Sequence, residues 1–221
     1  FAGHGTQFKD LDGDEGQGDS PALDECLCAV DCDFADDGLV IDDELRVLIE
    51  GLPEDVSMTC FFDCCHSGSA TRMALRMSGN SSRRDVRSRF LAPSEHMKKV
   101  YRKRIKKIRK SVSRSPSKQR DVLFSACRST ELAYESDQQG DFTRIATRVL
   151  TEGTQGLSNT DFLDRVLLAF GSTPRQNPEI HCEPEARRRI FLEQRPAENT
   201  SQEETQVQSN TNLELENPVD E

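Results

Sequence analysis

The chain has 221 residues, 34% of them hydrophobic and 31% charged, with a mean hydropathy of −0.68 and a formal net charge of −10. That length suits one sizeable α/β domain and is too short for two large ones. The negative balance argues against nucleic-acid binding by the protein as a whole, and no apolar run reaches the ~18 residues that a membrane span needs.

The averages conceal two regimes. Residues 1–70 and 120–193 carry apolar runs able to build a core, whereas the stretch between them and residues 194–221 do not. Acidic residues crowd 9–44 and the C-terminal tail, and basic residues crowd 83–120. Such asymmetry points to local roles: a cation site at one end, an exposed basic segment in the middle.

In chain order, Phe1 to Gly5 reads as the end of a strand entering a Gly-rich turn. Residues 9–25 hold Asp10, Asp12, Asp14, Asp19, Asp24 and Glu25 among glycines and form an acidic loop. Cys26–Val30 is a short strand, and Ile41–Ile49 has helical spacing with Asp42 and Asp43 at its N-terminus, where negative charge is favoured. Met58–Phe62 is a buried strand closed by Asp63-Cys64-Cys65-His66-Ser67-Gly68. Val100, Ile105, Ile108 and Val112 lie among Lys and Arg, which predicts a short basic helix in a mobile insert. Val122–Cys127 reads as another buried strand. Phe142–Leu150 and Thr160–Phe170 read as helices, the second capped by Ser158 or Thr160, and Arg189–Leu192 as a last strand. The Glu-, Asn-, Gln- and Thr-rich tail is expected to be disordered.

Strands alternating with helices predict a mostly parallel sheet flanked by helices. In such sheets catalytic groups gather at the carboxyl ends of strands, which is where Gly3-His4-Gly5 and Asp63–Gly68 fall. A cysteine nucleophile needs an imidazole to take its proton and backbone N–H donors for the oxyanion. Cys65 and His4 are the candidates for the pair, and the N–H groups of Gly5 and Cys65 for the donors. Asp63, two residues before Cys65, would favour a basic substrate side chain. The eight cysteines read mainly as free thiols. Cys26, Cys28, Cys32 and His181 match zinc spacing poorly, and a redox role for the vicinal Cys64-Cys65 pair would need a strained bridge.

These segments together resemble the metacaspases. FAGHG, Asp10-Leu-Asp12-Gly-Asp14-Glu15, Leu23-Asp24-Glu25, Ile41-Asp42-Asp43-Glu44 and Asp63-Cys-Cys65-His-Ser-Gly-Ser69 follow the large-subunit region of that family in order and spacing. Phe124-Ser-Ala-Cys127-Arg, Ala133-Tyr-Glu135, Gly140-Asp-Phe142-Thr143 and Gln176-Asn-Pro178 are similar to small-subunit landmarks. The resemblance implies a caspase-like fold with strands ahead of Phe1 missing. It implies His4 as general base, Cys65 as nucleophile, Asp63 and Ala2 at the pocket for a P1 Arg or Lys, and calcium held by Asp24, Asp42 and Asp43. Two positions depart from the pattern: Arg72 stands where a further calcium aspartate is expected, and Ala2 where a pocket serine is usual.

The expected organisation is therefore a large-subunit-like catalytic region at 1–75, a basic flexible insert at 76–120, a small-subunit-like region at 121–193 packed on the same sheet, and a disordered tail at 194–221. The implied activity is a cytoplasmic, monomeric cysteine endopeptidase with protein substrates, activated by calcium and cutting itself in the basic insert. That insert also suits nuclear import. The alternative is a catalytically silent caspase-like binding or regulatory module.

Overall fold

The computed structural model describes residues 1–11, 23–53, 56–65, 86–111, 119 and 121–193. Along these the chain forms β1 (His4–Lys9), β2 (Leu23–Cys28), β3 (Leu39–Ile41), α1 (Asp42–Glu50), β4 (Met58–Phe62), β5 (Val86–Ser88) and α2 (Glu95–Ser111). There follow β6 (Asp121–Ser125), β7 (Tyr134–Ser136), β8 (Gln139–Gly140), α3 (Asp141–Glu152), α4 (Asn159–Phe170), β9 (Glu179–His181) and α5 (Pro184–Arg187).

The architecture is mixed α/β. Its centre is β4 paired in parallel with β6, which pairs antiparallel with β9. On the other side of β4, Ala2 bridges Asp63 in parallel; Gly3 N–H donates to the Asp63 carbonyl at 3.1 Å and Asp63 N–H to the Phe1 carbonyl at 2.9 Å. Among the described residues, parallel pairing of named strands is thus confined to β4–β6, with isolated parallel bridges at Ala2–Asp63 and Gly5–Phe90. The two smaller sheets, β1–β2–β3 and β5–β7–β8, are antiparallel throughout.

Alternation along the central strands sorts their side chains. Phe61 and Phe124 stack with centroids 5.1 Å apart, and Phe162 of α4 meets Phe124 edge-on at 5.2 Å. Around them Val122, Phe142, Ile145, Val149, Val166 and Ile180 complete the main core. Ser158 caps α4 as expected: its hydroxyl accepts from Asp161 N–H at 3.1 Å while the Asp161 carboxylate accepts from Ser158 N–H at 2.9 Å. The opposite face, bearing Cys60, Phe62, Leu123 and Ser125, borders a cavity of about 480 Å³ whose far wall is Leu45, Arg46 and Ile49 of α1. Helices therefore pack directly on one face and stand across a cavity on the other.

The region expected to be a mobile basic insert differs along 86–111. Ser94 caps α2 by accepting from Met97 N–H at 3.2 Å. Met97, Val100, Tyr101, Ile105 and Ile108 recur at helical spacing and are buried against Phe8, Cys26, Cys28, Leu39 and Ile41 of the β1–β2–β3 sheet. Burying each such side chain contributes about 1.5–3 kcal/mol, enough to dock the helix while Arg102, Lys103 and Lys106 remain exposed. Arg104 ties it further, to Glu44 and to the Leu39 carbonyl. The expected strand at Arg189–Leu192 is a turn with one bridge, Ser158 to Ile190; the last strand among the described residues is β9.

Candidate active site

β1 begins at His4, not after a turn, so His4 lies exposed in register with Cys28 and Gly5 is paired with Leu27. Cys65 follows the end of β4 and is fully buried. The two segments meet at one acceptor. Gly5 N–H donates to the Arg89 carbonyl at 2.9 Å, and Cys65 N–H donates to the same oxygen at 3.3 Å. Two N–H groups converging on one carbonyl is the geometry that stabilises a tetrahedral oxyanion.

The rest of Arg89 continues the pattern. Its backbone N–H donates to the Ala133 carbonyl at 2.9 Å, and the three residues before it pair antiparallel with β7: Val86 with Ser136, Arg87 with Glu135, Ser88 with Tyr134. The Arg89 side chain is buried. Nη1 donates to the Asp63 carbonyl at 3.0 Å, Nη2 lies 3.4 Å from Glu135 Oε2, and Nε lies 3.9 Å from Asp63 Oδ1. Past it, Leu91 N–H donates to the Gly5 carbonyl at 2.9 Å, so the chain runs on beside β1.

Asp63 has a second task. Its Oδ2 accepts from Thr143 N–H at 2.8 Å and from Thr143 Oγ1–H at 2.6 Å, which places a carboxylate at the N-terminus of α3. Burial pushes the Asp63 carboxyl above its ordinary value; the Thr143 hydrogen bonds and the Arg89 charge oppose that rise. Gly140 leaves the room: a β-carbon there would lie 2.6 Å from Asp63 Cγ and 2.8 Å from Oδ1, and closer still to Oδ2.

The Cys65 thiol donates to the Glu131 carbonyl at 3.4 Å, and the Cys127 thiol donates to the same oxygen at 3.5 Å. Contact with Cys65, and burial, hold the Cys127 thiol well above its usual range. Burial likewise pushes up Cys64. The loop carrying Glu131 is pinned by Asn177, whose N–H and side-chain amide donate to the Glu131 carboxylate at 2.8 and 2.7 Å. Buried Gln176 donates to the Ala126 carbonyl at 2.9 Å and accepts from Tyr134 N–H at 2.8 Å.

His4, Gly5, Cys65, Asp63 and Ala2 thus share one neighbourhood, Ala2 through its bridge to Asp63. The three expected calcium ligands do not gather there. Asp24 is buried and accepts from the Tyr101 hydroxyl, Asp43 pairs with Arg46, and Asp42 lines the cavity beneath α1. Among the described residues no three His, Cys, Asp or Glu side chains form a metal-holding group. His66, Arg72 and most of the acidic loop lie outside the described residues. Glu135, Glu131, Cys127, Thr143 and Arg89 were not singled out as site residues by sequence. The resemblance at Phe124-Ser-Ala-Cys127-Arg, Ala133-Tyr-Glu135 and Gly140-Asp-Phe142-Thr143 marked the segments of Cys127, Glu135 and Thr143 without giving those residues a role; Glu131 and Arg89 lie outside every such segment.

A cysteine after one parallel strand, a histidine at the start of the neighbouring β1 and two convergent N–H donors thus come together on a mixed α/β sheet. Residues 1–74 match the metacaspase, peptidase C14 domain, and over that region the chain carries a metacaspase-type sequence. It is 48% identical over 71 residues to Metacaspase-1 of Yarrowia lipolytica, covering 32% of this chain and 14% of that protein. It is 44% identical over 71 residues to Metacaspase-2 of Trypanosoma brucei brucei, covering 31% of this chain and 18% of that protein. A crystal structure of a Geobacter sulfurreducens protein superposes with a TM-score of 0.60 at 24% identity, over 86% of this chain and 67% of that one, a likeness of fold. Among the described residues no helix is long and apolar enough to cross a membrane.

Proposed function

We propose that the protein is a cysteine endopeptidase that cleaves peptide bonds after Arg or Lys. One observation carries this reading. A buried arginine lies with its guanidinium between Asp63 and Glu135 while its carbonyl accepts from both Gly5 N–H and Cys65 N–H. That is how a substrate P1 residue would be held. Two carboxylates repel an acidic P1 and attract a basic one.

In this reaction the Cys65 sulfur attacks the scissile carbonyl carbon and His4 takes the thiol proton. The oxyanion forms against the Gly5 and Cys65 N–H groups. His4 returns the proton to the leaving amine, and water hydrolyses the thioester. Self-processing in the basic segment belongs to the same proposal. Calcium activation rests on the family resemblance, and the present placement of Asp24, Asp42 and Asp43 lends it no support, so no step passes through the ion.

The test compares wild type with Cys65→Ala and His4→Ala on fluorogenic peptides ending in Arg, Lys or Asp, with calcium and with chelator. Release after Arg and Lys that disappears in both variants supports the reading. Release after Asp, or none from any peptide once the protein has been nicked between residues 76 and 120, rejects it in favour of a silent caspase-like module.

A further inference from the structure

The cavity beneath α1 lies behind the nucleophile, on the face of the central sheet turned away from the main core. Alternation along β4 and β6 brings Cys60, Phe62 and Leu123 to this face, and Leu45 and Ile49 of α1 stand opposite across about 480 Å³. That volume falls within the ~300–1,000 Å³ of pockets that take a drug-sized molecule. Between these apolar walls stand the carboxylates of Glu25, Asp42, Glu50, Asp121 and Glu179. Arg46 and Arg128 line the cavity too, but each also faces a carboxylate that does not line it, Asp43 and Glu131. His181 sits 3.2 Å from Glu179. Among the described residues the lining carboxylates outnumber the arginines and the histidine together, so the cavity favours a cation and repels an anion.

Three lining residues lead back to Cys65. Cys64 precedes it in the chain, and the Cys127 thiol shares the Glu131 carbonyl with the Cys65 thiol, at 3.5 and 3.4 Å. Arg128 opens the turn that ends at Glu131, its carbonyl accepting from Glu131 N–H at 2.9 Å. A molecule in the cavity therefore touches the loop that supplies the thiol's acceptor. Cys65 must leave that acceptor to act as a nucleophile, and a filled cavity takes away the space into which the loop would move. We infer that the cavity is a second binding site, for a small molecule with an apolar body and one cationic group, and that its occupancy holds Cys65 at rest on the Glu131 carbonyl. Binding and the restraint on the thiol stand without any enzymatic activity; the slowing of hydrolysis that should follow rests on the proposed peptidase reading.

Phenylbutylamine, phenylbutanol and phenylbutyrate share one apolar body and differ in charge, so titration calorimetry of the full chain with each separates the two demands of the site. The amine should bind about tenfold more tightly than the alcohol, and the carboxylate more weakly than either. Asp121→Asn combined with Glu179→Gln, at two partly exposed positions, should lower amine affinity about fivefold or more and leave the alcohol unchanged. Leu45→Trp fills the space and should abolish binding of both, with circular dichroism reporting the fold. Alkylation by iodoacetamide, read residue by residue by mass spectrometry, should slow at least threefold with saturating amine, at Cys60 because it lines the cavity and at Cys65 because its loop is held. No binding of the amine, equal binding of amine and carboxylate, or amine affinity unchanged by the charge variants overturns the ligand assignment. Amine binding that protects Cys60 but leaves Cys65 alkylation unchanged overturns the restraint on the thiol. Amine binding with both cysteines slowed, in a protein that hydrolyses no peptide, upholds this site and removes the peptidase reading.

Discussion

Gly140→Ala tests how tightly the pocket is built. Gly140 has φ −65° and ψ 137°, a conformation alanine adopts freely, so the substitution brings no backbone strain of its own. The cost is steric. The new methyl would sit within 2.8 Å of Asp63 Oδ1 and 2.6 Å of its Cγ, far inside van der Waals contact. Either α3 shifts or the Asp63 carboxylate gives up its bonds to Thr143, at 2.8 and 2.6 Å. Hydrogen bonds to a charged group are worth about 1.5–3 kcal/mol each, so losing both destabilises by about 3–6 kcal/mol, a large share of the ~5–15 kcal/mol that holds a domain together. Denaturant unfolding of wild type, Gly140→Ala, Asp63→Ala and the double variant measures the coupling. Once Asp63 is truncated, adding the methyl should cost less than about 1 kcal/mol, because the clashing atoms are gone. Equal costs in both backgrounds would refute this account of Gly140.

Glu135→Gln should lower kcat/KM for Arg-ended peptides about tenfold or more, and because the Arg89 guanidinium it faces is buried, it should also cost about 1–3 kcal/mol in unfolding. Asp63 is buried with its carboxyl raised, so the folded state holds the proton more tightly than the unfolded one. Its contribution to stability is therefore greatest below the unfolded value and declines as pH rises from about 4 towards the folded value. Asp63→Asn should remove that decline, seen as a more positive slope of stability against pH than wild type over that window. Tyr101→Phe deletes the hydroxyl that donates to Asp24 and to the Lys9 carbonyl; a loss of about 1–3 kcal/mol and faster amide exchange along α2 should follow.

The sequence is most legible where burial is regular and local. Met58–Phe62 falls on the observed strand because five β-favouring residues end abruptly at an Asp-Cys-Cys turn, and the helical spacing of Thr160–Phe170 comes with its own cap in Ser158. His4 was expected in a turn because glycines flank it, yet Gly5, Thr6 and Phe8 are buried and pair with β2 over six residues. β9 has only three residues, too few for periodicity to register. Ile190 and Phe191 suggested a strand, but Phe191 instead stacks on Phe162 at 4.0 Å as a plug over the core. Arg89 was hidden for a different reason. An arginine in a basic, polar stretch reads as solvated, and the carboxylates that bury it come from β7 and from the end of β4, far away in sequence. The expected calcium ligands Asp24, Asp42 and Asp43 came from the family resemblance. In the structure Asp24 accepts from the Tyr101 hydroxyl and Asp43 pairs with Arg46, partners far from them in sequence or on the same helix that the resemblance does not specify.

The docking of α2 determines what a break near Arg89 would do to the particle. The piece ending there holds β1 to β5 with α1, and the piece beginning at Phe90 holds α2, β6 to β9 and α3 to α5. Yet α2 completes the core of the β1–β2–β3 sheet, and β6 completes the sheet begun by β4. Each piece therefore supplies what the other lacks in two separate places. A nicked molecule should migrate as two bands under denaturing conditions and still elute as one species from a sizing column, its halves interlocked without a covalent link.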